Sequence, residues 1–88
     1  MNAKQVKPAT PLSTHRAIQV GQWHDRASGQ RVRYYVNADR ADSIGNRKAA
    51  AWFRTLAKKW ENIRMRAAMA LGRDALARRA LLSRLGAE

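Results

Sequence analysis

Arg31-Val32-Arg33-Tyr34-Tyr35-Val36-Asn37 decides how the first half of this chain is read. Its residues alternate with period two. On a strand Val32, Tyr34 and Val36 would face one way, and Arg31, Arg33, Tyr35 and Asn37 the other. Upstream, Ala17 to His24 (Ala-Ile-Gln-Val-Gly-Gln-Trp-His) has strand composition, and Asp25 to Gln30, with Ser28-Gly29, supplies turn chemistry. The expectation is a β-hairpin over 17–37, with a bulge at Gly21 returning Trp23 to the apolar side shared by Ile18 and Val20.

Asn37 to Gly45 is polar, and Asp42, Ser43 and Asn46 are each suited to cap a following helix. Ala49, Trp52, Phe53, Leu56, Trp60, Ile63, Ala67, Ala70 and Leu71 then fall on one helical stripe. This predicts an amphipathic helix over about 46–71, with Arg47, Arg54 and Lys58 opposite the stripe and Lys48 and Arg66 on a flank. Gly72 is costly inside a helix and Asp74 is a good cap, so a break is expected there, with a kinked continuous helix as the alternative, followed by a shorter helix over about 75–85 with an Asp74 and Arg78 pair. The fold class expected is therefore α+β: a hairpin, with or without a short third strand at 42–45, packed on a long helix and followed by a shorter one. Residues 1–16 read as a flexible basic arm and 17–88 as a single small domain. Trp52, Phe53 and Trp60 are expected in the core. Ile63, Ala67, Ala70 and Leu71, beyond the reach of the hairpin, need the last helix or a second copy in a homodimer to cover them.

Charge points to function more firmly than any motif does. The 88 residues hold 18 Lys and Arg against 6 Asp and Glu, a formal net charge of +12. The excess is spread along the chain, so a folded body of this size concentrates polyanions at its surface. The 6 carboxylates are scattered, and no glycine-rich phosphate loop, nucleophile elbow or zinc motif is present, so the chain is read as non-enzymatic and without cofactor or metal. His24-Asp25 beside Trp23 is the one suggestive cluster, and it reads as a turn with a polar rim. With no cysteine, disulfides and thiolate sites are excluded, and a cytoplasmic location is expected. No apolar run is long enough to span a membrane.

The expected nucleic-acid contacts are Arg31, Arg33 and Tyr35 on one hairpin face, Arg47, Lys48, Arg54 and Lys58 on the helix, and Lys4, Lys7 and Arg16 in the arm. DNA is the expected partner and RNA the second. A different class of function also fits the charge, that of a phage- or plasmid-encoded inhibitor or adaptor, of the anti-restriction or anti-CRISPR type, docking on an acidic surface of a host protein.

Trp23, Gly29, Arg31 to Val36 and Arg47-Lys48-Ala49-Ala50-Ala51-Trp52-Phe53-Arg54 resemble, in order and spacing, the amino-terminal arm-binding domains of phage-integrase-type tyrosine recombinases. The resemblance, over residues 17–60, implies a small sheet in the DNA major groove backed by a helix, with Arg31, Arg33 and Tyr35 facing DNA and Trp52 as core anchor. Trp60-Glu61, Ala67 to Leu71 and Gly72 to Arg78 are similar to a stretch of the phage-shock-protein A helical hairpin, but alanine, leucine and arginine recur in this way in any amphipathic helix.

Overall fold

The computed structural model describes residues 10–86. They form two helices, α1 (Thr14–Ser43, 30 residues) and α2 (Arg47–Gly86, 40 residues), packed antiparallel as a helical hairpin. No strand is present among the described residues. The expected α+β class, with its β-hairpin over 17–37, is thereby corrected to all-α, and the antiparallel sheet implied by the recombinase resemblance is absent. Of the residues expected in the arm, Thr14 to Arg16 belong to α1; Lys4 and Lys7 lie outside the described residues.

A seam with alternating steps of three and four explains the helices. On α1 it runs Ala17, Val20, His24, Ala27, Arg31, Tyr34, Ala38 and Ala41; on α2 it runs Ala50, Phe53, Ala57, Trp60, Arg64, Ala67, Leu71 and Asp74. Every one of these sixteen positions is buried or half-buried. The mean step of 3.5 is that of helices wound on each other, which no strand pairing reproduces. Ala27, Ala38, Ala50 and Ala57 have 0% exposure, while no large side chain among the described residues is fully buried. The interface is thus closed by small residues that let the backbones approach. Tyr34 and Phe53 fill the wider space near the turn, their rings stacked with centroids 6.2 Å apart.

Both ends of α1 are set by local chemistry. Ser13 is its N-cap, with Oγ accepting from the Arg16 N–H at 3.1 Å. At its other end the N–H of Asn46 donates to the Ala41 carbonyl at 2.8 Å and that of Gly45 to Asp42 at 3.0 Å, the two bonds of a Schellman motif. Gly45 takes φ 81, a left-handed conformation that favours glycine. Asn46 then starts α2, its Oδ1 accepting from Ala49 N–H at 3.1 Å.

α2 runs unbroken through Gly72 and Asp74, so the expected break and separate helix over 75–85 are also corrected. Asp74 faces the seam instead of capping a helix. Its carboxylate accepts from the Leu12 backbone N–H at 2.7 Å and from Arg78 Nε at 3.0 Å, while Arg78 Nη2 donates to the Leu12 carbonyl at 2.9 Å. This latch places the start of α1 beside Asp74. The last turns of α2 run past α1, leaving Leu82 and Leu85 67% and 61% exposed. No helix among the described residues is long and apolar enough to cross a membrane.

Only part of the expected apolar stripe reaches the seam. Phe53, Trp60, Ala67 and Leu71 pack against α1; Ala49, Leu56, Ile63 and Ala70 lie half-buried along one edge; Trp52, expected in the core, is 59% exposed. Cover for Ala67 and Leu71 comes from α1, not from a last helix. Replacing Gly72 tests the continuity of α2. A Cβ built at Gly72 meets nothing within 4 Å, so Gly72→Ala is expected to stabilise the fold by about 0.5–1 kcal/mol in urea unfolding. A loss of stability would point to a break.

Candidate nucleic-acid interface

The seam divides the surface of the hairpin into two sides. In an antiparallel pair the positions just outside the seam on one side of each helix come together, so each side is built from both helices. One side takes Arg16, Trp23, Gln30 and Asn37 from α1, with Arg26, Arg33 and Arg40 along its outer edge. From α2 it takes Ala49, Leu56, Ile63 and Ala70, with Trp52, Lys59, Arg66 and Arg73 outside them. Arg26, Arg33 and Arg40 recur every seven residues, as do Lys59, Arg66 and Arg73, which makes two cationic rails along a shallow groove.

Among the described residues no acidic side chain lies on this side. Asp25, Asp39, Asp42 and Glu61 are on the other side and Asp74 is in the seam. Glu61 lies 3.0 Å from Arg31 Nε and accepts from Arg64 Nε at 3.2 Å, so one carboxylate is shared by two arginines that enter the seam. Arg54 pairs with Asp42 and lies 3.8 Å from Asp39. The hydrogen bond from Arg64, then the charges of Arg64 and Arg31, hold the Glu61 carboxyl below the usual carboxylate range. Asp74 is held low in the same way by Arg78 and then by the Leu12 N–H. The Asp42 hydrogen bond raises Arg54, which stays charged throughout.

The groove deepens at three places. Arg16, Val20, Trp23, Ile63, Arg66, Ala67 and Ala70 line a cleft of about 310 Å³. It adjoins a second of about 250 Å³ between Trp23, Arg26, Trp60 and Ile63. A third, near the turn, has Asn37, Arg40, Ala49 and Phe53 among its walls. The Arg16 guanidinium lies 4.8 Å from the centroid of the Trp23 ring, and its Nη1 donates to Gln19 Oε1 at 2.6 Å.

The residues expected from sequence are scattered by this geometry. Arg33 lies about 200° from Arg31 and from Tyr35, which are four residues apart on neighbouring positions of α1, so the three do not share one face. Arg31 is tied to Glu61, Arg33 stands on the groove rail, and Tyr35 is on the acid-bearing side. Arg47, Arg54 and Lys58 are also on that side, with Arg54 paired, and Lys48 is on the back of α2. Of the expected residues that the structure describes, Arg16 and Arg33 join the groove side. Arg26, Arg40, Lys59, Arg66 and Arg73 were not among the expected contacts, although their seven-residue recurrence is visible in the sequence once both halves are read as helix. His24 is in the seam rather than at a hairpin corner, with Nδ1 3.4 Å from Asp25 Oδ1. Among the described residues no cluster of three or more His, Asp or Glu side chains is placed to hold a metal ion.

Comparison with family models, curated proteins and solved structures gives no match to this chain.

The ion pairs predict acid sensitivity. A carboxyl whose folded pKa lies below its unfolded value near 4 stabilises fully above that value, and the stabilisation is lost as pH falls through the folded pKa. Stability should therefore drop between about pH 5 and about pH 2. In Glu61→Gln it should be lower at neutral pH and fall less on acidification, as followed by urea unfolding at each pH. An unchanged acid dependence in that variant would remove Glu61 from the linkage.

Proposed function

We propose that this protein is a non-enzymatic nucleic-acid-binding protein, with DNA as the first partner to test, and that it engages the polyanion with the groove side of the hairpin. The observation that carries the reading is the sorting of charge: Arg16, Arg26, Arg33, Arg40, Lys59, Arg66 and Arg73 share a side that holds no carboxylate among the described residues. Cations paired within the fold lose most of their field at a distance, whereas a one-signed side retains it and steers a polyanion toward itself. Arginine supplies six of the seven, and its planar fork suits phosphate oxygens. The other class of function, docking on an acidic protein surface, draws on the same field; pull-down from lysate with and without nuclease separates the two.

If the groove side neutralises about five phosphates, log K should fall against log salt with a slope of about −4 to −5 on duplex DNA. Arg33→Ala should weaken binding to all sequences and reduce that slope by about 1. Lys58→Ala, on the acid-bearing side, should change neither. Fluorescence anisotropy across a salt series measures both quantities. A flat salt response would exclude the reading, and equal effects of the two substitutions would move the interface off the groove.

A further inference from the structure

We propose that the paired cleft around Trp23 receives an unpaired nucleobase, so that the protein prefers single-stranded nucleic acid to duplex. The inference rests on the nucleic-acid reading and adds the form of the strand. Trp23 is 46% exposed in the middle of a cationic side, flanked by Arg16, Arg26 and Arg66, and it is the residue shared with Ile63 by both clefts. Val20, Trp60, Ile63, Ala67 and Ala70 give those clefts apolar walls, and no acidic residue lines them. An apolar slot with an aromatic wall and a rim of arginines matches a flat, apolar-faced base carried on a phosphate chain. Arg16, held by Gln19, already stacks on the indole, and a planar base extends that stack.

The shape of the groove selects among anionic occupants. An acidic amphipathic helix needs a continuous apolar floor several turns long. On α1 the positions bordering the groove are Arg16, Trp23, Gln30 and Asn37, so the apolar wall fails one heptad beyond Trp23, and a helix laid there would bury two amides without partners. A second copy of this chain would set cationic rails against cationic rails. Duplex DNA presents phosphates to the rails but keeps its bases stacked inside, so the cleft stays unused unless a base is flipped out.

The test compares a short mixed-sequence single strand with its own duplex, by anisotropy at one salt concentration, for the wild type, Trp23→Leu and Trp23→Phe. Helical content by circular dichroism checks that each variant is folded, which a partly exposed site should tolerate. The wild type is expected to bind the single strand more tightly. Trp23→Leu should weaken that binding about 5- to 100-fold, the range for loss of one aromatic stack, and Trp23→Phe should retain most of it. Duplex affinity should be the same in all three proteins. If Trp23→Leu lowers neither affinity, or lowers both equally, while salt-dependent binding persists, the cleft is not a base site and only the broader reading stands. Absence of binding to either form would remove both. A Trp23-dependent affinity for an acidic amphipathic peptide, with none for the single strand, would assign the cleft to a protein helix and overturn the proposal.

Discussion

Full burial of Ala27 and Ala38 on α1 and of Ala50 and Ala57 on α2 is the constraint on which the rest of the structure depends. Each contributes a single methyl group, so burial there stabilises by about 0.8 kcal/mol per group at most. What the alanines provide is proximity: two backbones near enough for Tyr34 to stack on Phe53 and for Arg31 to reach Glu61. With so thin an interface, the bulky apolar side chains have little interior to enter. Ile18, Trp52, Met69 and Leu76 stay largely exposed for that reason, although their types are those of a core. Such a hairpin leans on its termini and ion pairs more than a globular domain does, and the Asp74 latch on Leu12 closes the open end just as the Schellman turn closes the other.

The same geometry sorts the charges. A two-helix layer has no third element to cover either side, so any charge repeated every seven residues becomes a line on the surface. The acidic residues are spent where arginine must come close to the seam or the turn: Glu61 on Arg31 and Arg64, Asp42 on Arg54, Asp74 on Arg78. Removing those carboxylates from the surface field leaves the groove side one-signed. The structural role of the acids and the cationic character of the groove are therefore one arrangement seen from two sides.

About half of this was legible in the sequence. The helix from Arg47 onward follows from its wide apolar stripe, and the Asn46 cap and the Asp74 and Arg78 pair follow from residue type and spacing. The first helix was hidden for identifiable reasons. Val32, Tyr34, Tyr35 and Val36 carry strand propensity and an alternating pattern, and Ser28-Gly29 reads as a turn. The seam that overrides them is spelled in alanine, histidine and arginine, residues that hydrophobic periodicity barely registers. Of the alternating set only Tyr34 lies on it; Val32 and Val36 turn outward. Gly72 misled in the opposite direction. A single glycine lowers helix stability by about 1 kcal/mol, which the flanking leucine- and alanine-rich turns outweigh, and the Asp74 carboxylate was already engaged by Leu12 and Arg78 rather than free to cap.

The rails also set what kind of recognition this side can support. Successive cations on one rail are seven residues apart, about 10.5 Å along the helix, whereas phosphates on one strand of B-DNA recur every 3.4 Å along the axis. Under the proposed nucleic-acid reading the rails skip phosphates and act as a field instead of a set of matched clamps, and the affinity would be governed by salt and blind to sequence. Discrimination on such a surface has to come from a feature that is not repeated. Along the α1 edge of the groove, between two amides and an arginine, Trp23 is that feature.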